Sequence, residues 1–147
     1  MAATMGQNKG KRGEREIKDL FIDLMQTAEL ATGQRGVSEF VKRNTTQSDR
    51  GGDDIVGIPL ISIEVKRQET LHLNQWWQQA EKQAVKQHVM PVLIYRQNRK
   101  AWRVQTYALL CNPKRVSTQW TRVDIELSDF LSWYRAMYAE WLTAQSG

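Results

Sequence analysis

The sequence is poor in the residues from which disulfide frameworks and zinc sites are built. Its 147 residues include one cysteine and two histidines. Cys111 by itself excludes an internal disulfide, and together with His72 and His88 it does not give the spacing of zinc ligands. These absences fit a protein of a reducing cytoplasm.

Long hydrophobic runs are missing as well. No stretch of about 18 apolar residues occurs, and residues 1–13 carry basic side chains without the apolar core of a signal peptide. We therefore expect no membrane partner and a cytoplasmic location, in a bacterial, archaeal or virus-infected host cell.

Positive charge is in excess. The formal net charge is +5 at pH 7 and the isoelectric point is near 9.5, which favours a polyanionic partner, above all nucleic acid. With 41% hydrophobic and 25% charged residues, the chain has the composition of a single globular domain, 1–147, with a core of its own.

The most informative stretch of the chain is the segment 51–66. Within it, polar and apolar residues alternate over Ile61–Lys66, so a β-strand would place Glu64 and Lys66 on one face. Asp54 begins an earlier apolar run, and a turn that contains glycine and proline separates the two runs. A hairpin of these strands would bring Asp54 back toward Glu64.

These residue types suit the hydrolysis of phosphodiester bonds. Mg²⁺ prefers oxygen ligands and is usually bound through one or two carboxylates, which Asp54 and Glu64 would provide. Lys66 could orient the attacking water or neutralise charge on the phosphate. The pattern also describes a solvated amphipathic strand, and a Glu-x-Lys triplet is a weak signal, since Glu16-Ile17-Lys18 repeats it in a helical segment.

The remaining periodicity predicts alternating helices and strands. A first helix from Glu14 to about Ala31 ends at Gly33, and residues 1–12 form a mobile arm. The further predicted elements, in chain order, are strands at Val37–Asn44, Ile55–Ile58 and Ile61–Lys66, a helix at Leu73–His88, strands at Val92–Arg96 and Ala101–Tyr107, and a last helix capped by Ser128.

Three segments of the chain carry a further signal. They are Gly10-Lys11-Arg12-Gly13-Glu14-Arg15-Glu16-Ile17, then Gly52-Asp53-Asp54-Ile55-Val56-Gly57 with Ile63-Glu64-Val65-Lys66, then Pro91-Val92-Leu93-Ile94 with Ala101-Trp102-Arg103-Val104. In order and spacing they resemble the archaeal-type Holliday junction resolvases of the PD-(D/E)xK nuclease superfamily. The resemblance implies an α/β fold with a restriction-endonuclease-like core, in which helices flank a mixed central β-sheet. Residues 108–147 would extend that core and add a C-terminal helix.

The resemblance also implies roles for individual residues. Asp54 and Glu64 would bind the metal, Mg²⁺ with Mn²⁺ expected to substitute, and Lys66 would be the catalytic lysine. Glu14 would be an additional acidic residue at the metal. Two rivals stay open: Asp53 for the position of Asp54, and Glu16 for that of Glu14, because helical geometry turns only one of those two glutamates toward the site.

A second set of residues is expected to contact DNA. Basic side chains in loops and at element ends suit phosphate contacts, which position DNA without reading its sequence. Two polar residues on the predicted second helix could reach the metal or phosphate beside Lys66, although a solvated helix face explains them equally well. The full set is Lys11, Arg12, Arg15, Arg43, Arg50, Arg67, Gln79 and Lys82.

The predicted function is therefore a structure-selective, metal-dependent DNA endonuclease, with four-way junctions as the first substrate. The resemblance implies a homodimer, since a junction is cut symmetrically on two strands. Two alternatives stay open: a restriction- or repair-type endonuclease acting on duplex or flap DNA, and a non-catalytic DNA-binding dimer on a nuclease fold.

Aromatic residues leave two further choices. Trp76 and Trp77 favour core or dimer packing over stacking on DNA bases. The last helix carries large apolar side chains at helical spacing, which favours packing in the core, although a dimer interface or a DNA-binding surface is also compatible.

Overall fold

The computed structural model describes residues 5–45, 54–111, 114 and 118–146. Three helices and six strands account for most of them. The elements in chain order are α1 Met5–Thr32, a 3-10 turn at Ser38–Phe40, β1 Lys42–Arg43, β2 Ile55–Val56, β3 Ile61–Gln68, α2 Leu73–Gln87, β4 Met90–Gln97, β5 Arg103–Cys111, β6 Thr118–Glu126 and α3 Leu127–Gln145.

The six strands form one mixed sheet in the order β1-β2-β3-β4-β5-β6. All neighbours are antiparallel except β3 and β4, which run parallel from the pair Ile61 and Met90 to the pair Gln68 and Gln97. A parallel pair requires a crossover connection, and α2 supplies it. The long central strands therefore end at the same edge of the sheet.

Helices cover both faces of the sheet. On one face α1 and α3 pack over the apolar side chains of β3, β4 and β5, with Phe21, Tyr134 and Tyr138 fully buried. On the other face α2 packs over β4 through Trp76 and Trp77, each only 4% exposed. Both tryptophans are thus core residues, which excludes base stacking.

This architecture confirms the α/β prediction of a mixed sheet flanked by helices, with an additional C-terminal helix. The buried side chains of α3 show that this helix is core cover rather than a free surface. Residues 118–126 add a strand that the sequence analysis missed, so the segment after residue 108 completes the sheet. Among the described residues, no helix is both long and apolar enough to cross a membrane.

Several predicted boundaries were wrong. α1 begins at Met5 rather than Glu14, so residues 5–12 of the predicted mobile arm are helical. The strand predicted at Val37–Asn44 contracts to Lys42–Arg43. Its first half turns because Ser38 Oγ donates to Glu29 Oε1 at 2.6 Å, and the resulting bend is incompatible with an extended strand.

The start of α3 also differs from the prediction. Ser128 lies inside the helix, and Glu126 occupies the N-cap position without a side-chain capping hydrogen bond. The helix follows β6 directly, so the pairing of Glu126 with Arg103 ends the strand and sets the first helical residue. The helix therefore begins where the strand ends, without the capping side chain that the sequence predicted.

The turn between β2 and β3 depends on Gly57. This residue has φ of +90°, and a Cβ added to it would lie 2.4 Å from the carbonyl oxygen of Phe40. Only glycine combines that backbone conformation with so close an approach. Gly33, at the end of α1, shares the positive φ but has open space around it.

We expect Gly57→Ala to lower the free energy of unfolding by about 2 kcal/mol or more, because strain and backbone contact act together. The matched control is Gly33→Ala, which adds strain alone and should cost about 1 kcal/mol. Urea unfolding of both variants measures the difference. Equal losses would show that the contact with Phe40 is not limiting.

Candidate active site

The polar face of β3 is buried. Ser62 is 0% and Glu64 8% exposed, and Lys66 is half-buried. Ionisable side chains are rarely buried to this extent unless they have partners or a function. The alternative of a merely solvated strand face is therefore wrong for β3.

Asp54 is held against this strand by several hydrogen bonds. Its N–H donates to Ile63 O at 2.9 Å, and its C=O accepts from Asn44 N–H at 2.9 Å. Its Oδ2 accepts from the N–H of Val65 at 2.6 Å. Because Val65 lies between Glu64 and Lys66, the carboxylate of Asp54 is fixed beside both residues, as the hairpin prediction required.

The backbone explains why Asp54 turns this way. Ile55 is paired with Ile63, yet the N–H of Asp54 also bonds to Ile63, so two consecutive residues oppose one. Such an irregularity bends a strand and redirects its side chains, and it is common beside active sites. Asp54 is also buried, with 6% exposure, so little water reaches its carboxylate.

Glu14 reaches the same region from α1. Its Oε2 accepts from Arg43 Nε at 3.0 Å. Burial raises the pKa of Glu14, and the charge of Asp54 raises it further, while Arg43 and Lys66 act in the opposite direction. The pKa shift thus records that Glu14, Asp54 and Lys66 share one electrostatic environment.

Basic residues surround a cleft next to Glu14. The cleft has a volume of about 500 Å³, and Lys11 and Arg15 line it from α1 while Arg43 lines it from β1. Its wall is continued by Gly10, Asn44 and Thr45. Three of the predicted DNA contacts are therefore brought together around a predicted catalytic carboxylate.

The other predicted contacts are dispersed. Arg12 is exposed on α1, and Arg67 lies on the sheet face opposite to Lys66. Gln79 and Lys82 are exposed on the side of α2 that faces away from the sheet, because Trp76, Trp77 and Ala80 define the packed side. Arg50 and Asp53 lie outside the described residues, so the choice between Asp53 and Asp54 rests on the position of Asp54 alone.

Sequence reasoning missed the polar residue of α2 that does face the sheet. Gln83 is buried, with 9% exposure, three positions after Ala80 on the packed side of the helix. Helical spacing from Trp76 and Ala80 would have distinguished Gln83 from Gln79.

A second missed group lies beside Lys66 on the same face of the sheet. Lys66 is paired with Tyr95, whose hydroxyl donates to Asp124 Oδ2. Arg103 Nε donates to Asp124 Oδ1 at 2.7 Å, and Gln105 Nε2 donates to Asp124 Oδ2 at 3.0 Å. Burial raises the pKa of Asp124, but the hydrogen bonds from Tyr95, Arg103 and Gln105 together outweigh it and leave the pKa below its usual value. The alternation of charged and apolar residues along β6 is the sequence signal that could have identified Asp124.

The donor chemistry of the site fits a hard divalent cation. Among the described residues, no group of three or more acidic, histidine or cysteine side chains could hold a metal. Two buried carboxylates at Asp54 and Glu64 nevertheless match the usual Mg²⁺ arrangement, in which water and substrate phosphate oxygens complete the coordination. Glu14 accepts a hydrogen bond from Arg43, and its role as an additional acidic residue at the metal stays a prediction.

A mixed sheet that carries a buried aspartate beside a Glu-x-Lys strand defines the class of PD-(D/E)xK nucleases, which generally use divalent metal ions. The family model described as "Phage putative PDDEXK endonuclease" matches residues 5–143. The chain belongs to this family of phage endonucleases. The match includes β6 and most of α3, so both elements are part of the family domain.

One solved structure aligns with most of this chain. It is that of Archaeoglobus fulgidus Hjc, a Holliday junction resolvase from an archaeal hyperthermophile, with 18% identity and a TM-score of 0.43. The alignment covers 84% of this chain and 96% of that chain. None of the curated proteins matches the chain.

The raised pKa of Glu14 leads to a prediction on stability. The folded protein binds a proton at Glu14 more tightly than the unfolded chain, so ionised Glu14 costs stability above its folded pKa. We expect Glu14→Gln to be more stable than wild type at neutral pH, and the gain to shrink as the pH falls through the ordinary glutamate pKa of 4.5.

Thermal unfolding between pH 4 and pH 8 without divalent metal measures this effect. Asp23→Asn removes a carboxylate charge from an exposed position on the same helix and is the matched control. A stability gain for Glu14→Gln that is equal at low and neutral pH would contradict the electrostatic explanation.

Proposed function

We propose that the protein is a Mg²⁺-dependent endonuclease that hydrolyses phosphodiester bonds in branched DNA, with four-way junctions as its principal substrate. The observation that carries the proposal is the fixed position of Asp54, whose carboxylate is bonded to the backbone between Glu64 and Lys66. Asp54 is thereby held against the strand that carries Glu64 and Lys66 before any substrate is bound.

In this proposal Asp54 and Glu64 hold the metal. When bound, Mg²⁺ supplies Lewis acidity toward the phosphate and lowers the pKa of coordinated water. The backbone bonds of Asp54 keep one carboxylate oxygen occupied by Val65 N–H and so orient the group. Mn²⁺, which accepts the same oxygen ligands, is expected to substitute.

Lys66 would act on the phosphate directly. Its ammonium group can orient the attacking water by hydrogen bonding, and its charge can stabilise the negative charge that develops on the phosphate oxygens. Half-burial strengthens that interaction because less water screens it. Glu14 would balance the charge of Arg43 at the margin of the site and shape the field around Lys66.

The cleft beside Glu14 would receive the DNA backbone. Lys11, Arg15 and Arg43 present cations there, and phosphate contacts of this kind position a duplex without reading its sequence. Arg12 would extend the same basic surface, whereas the exposed positions of Gln79 and Lys82 give them no support as contacts at the metal.

The preference for junctions is supported by the sequence resemblance in the first helix, the hairpin and the two strands that follow. A junction is resolved by symmetric cuts on two strands, so we propose a homodimer whose two active sites share one face. As a phage-family endonuclease it would act in the cytoplasm of the infected cell.

We expect Asp54→Asn and Lys66→Ala to reduce the rate of DNA cleavage in Mg²⁺ by a factor on the order of 10² to 10³ or more, since each removes charge aimed at the reacting phosphate. Lys86→Ala, which removes an exposed lysine from the last turn of α2, is the matched control and should cut at the wild-type rate. DNA binding by Asp54→Asn should persist, because the phosphate contacts lie elsewhere.

A gel assay with end-labelled DNA in Mg²⁺ and in Mn²⁺ measures these rates. A wild-type protein that binds DNA and leaves it uncut in both metals would exclude catalysis and favour a non-catalytic DNA-binding dimer.

Substrate preference is tested with a panel of synthetic DNAs that share one sequence. We expect the four-way junction to be cut at least about tenfold faster than flap, nicked or linear duplex DNA, with paired cuts on opposite strands. Tenfold corresponds to about 1.4 kcal/mol of additional transition-state binding. Faster cleavage of linear duplex or flap DNA would instead assign a restriction- or repair-type activity.

A further inference from the structure

Two arginines lie side by side where the parallel strands end. Arg67 of β3 is paired with Arg96 of β4, and both project to the face that α1 covers. Continuing the antiparallel register of β4 and β5 brings Trp102 next to Arg96, whose guanidinium carbon lies 5.8 Å from the ring centroid. The three side chains form a row across three strands.

Both arginines of the row have a hydrogen-bond donor without a partner. The Nε atoms of Arg67 and Arg96 are both buried without a hydrogen-bond partner, and Oδ1 of the nearby Asn98 is in the same state. Within the described part of the chain, neither arginine forms an ion pair. Buried donors without partners are rare in proteins and commonly mark a place for water or an ion.

Adjacent like charges add to this cost. The backbones of residues paired across neighbouring strands lie about 5 Å apart, and like charges on directly opposite residues destabilise a sheet. Two guanidinium groups that share no carboxylate are therefore a poor arrangement for stability alone. Both side chains are partly exposed, so an anion bound at their guanidinium groups would relieve the repulsion.

The surroundings hold the row in a fixed position. Trp102 Nε1 donates to Glu16 Oε1 at 3.0 Å, which orients the ring beneath Arg96. Gly13 of α1 lies over the row, and a Cβ there would be 3.2 Å from the Trp102 ring and 3.6 Å from Arg67 Cβ. A larger residue at Gly13 would press on the row, so the close approach of α1 depends on glycine.

We propose that Arg67 and Arg96 together bind one non-scissile phosphate of the DNA backbone. A planar guanidinium matches the oxygens of a phosphate and can stack on an aromatic ring while doing so, which a lysine cannot reproduce. The identification of the ligand as DNA rests on the proposed nuclease function, whereas the anion site itself does not.

The position of the pair suits this role. Arg67 directly follows Lys66 and lies on the opposite face of the strand, and Gly13 directly precedes Glu14. A phosphate bound by the arginines would therefore anchor the strand near the scissile bond without occupying the carboxylates. The pair would position the substrate rather than take part in the chemistry.

The test measures binding in EDTA, where cleavage does not interfere. A labelled four-way junction and a linear duplex are titrated with wild type, Arg67→Ala, Arg96→Ala and the double variant at several salt concentrations. Arg122→Ala is the matched control, because its guanidinium also lies over a tryptophan, 5.5 Å from the Trp77 centroid, but Arg122 has a hydrogen-bond partner in Asn74.

We expect each single variant to bind about tenfold more weakly, the loss of one charge-assisted hydrogen bond, and Arg122→Ala to bind as wild type does. The slope of log affinity against log salt should fall by about 0.9 in the double variant, the value for one phosphate. A fall twice as large would show two separate phosphates and overturn the shared site, as would unchanged affinity.

Inorganic phosphate provides a probe that is independent of DNA. At equal ionic strength, phosphate should raise the Tm of wild type and Arg122→Ala more than chloride does, and the double variant should lose this difference. No difference in wild type would mean that water satisfies the arginines and that the proposal is wrong. If an alanine variant fails to fold, Arg96→Gln keeps the first three side-chain carbons without the charge and should show the same losses.

The nuclease proposal and the anion-site proposal can be rejected independently of each other. Wild-type protein that never cuts DNA, yet loses phosphate stabilisation and DNA affinity with the arginines, would leave this anion site in place and reject the nuclease mechanism. Normal cleavage and binding by the double variant would reject the anion site alone.

Discussion

The parallel pairing of β3 with β4 is the constraint on which the rest of the molecule depends. Eight consecutive residues of each strand are matched, from Ile61 to Gln68 and from Met90 to Gln97. Because side chains alternate, this register sets two different surfaces at one sheet edge. Lys66 and Tyr95 share the α2 face, and the two arginines that follow share the α1 face. A shift by one residue would exchange the faces and remove both arrangements.

The charged groups at this edge of the sheet lower the stability of the free protein. Asp54 and Glu64 are buried carboxylates, and the raised pKa of Glu14 shows that its charge is not fully compensated by Arg43. Sites that concentrate charge for catalysis commonly destabilise the free protein, and ligands recover that free energy on binding. The apolar packing of α1 and α3 on one face, with α2 on the other, supplies the rigid support that keeps these groups in place.

Local patterns predicted most of the architecture. The helical stripe of α1, the alternation in β3 and the tryptophan-containing stripe of α2 each reflect one dominant period, so their existence and type were correct. The failures have other causes. Three glycines near the start of α1 disguise its true beginning at Met5, where packing of Gly13 on Trp102 outweighs propensity. In β6 the alternation is real, but it is confined to Val123 and Ile125 between charged residues such as Arg122 and Asp124, which is a short signal.

The sequence by itself determined the class of the protein. Asp54, the turn, and Glu64 with Lys66 are close in the chain, so short-range geometry sufficed to place them together. Only the tertiary structure decided what surrounds them: the ion pair of Glu14 with Arg43, the outward position of Gln79 and Lys82, and the pairing of Arg67 with Arg96 across neighbouring strands. The physical reason is separation along the chain, since these contacts depend on helix packing and strand register, which no local pattern encodes.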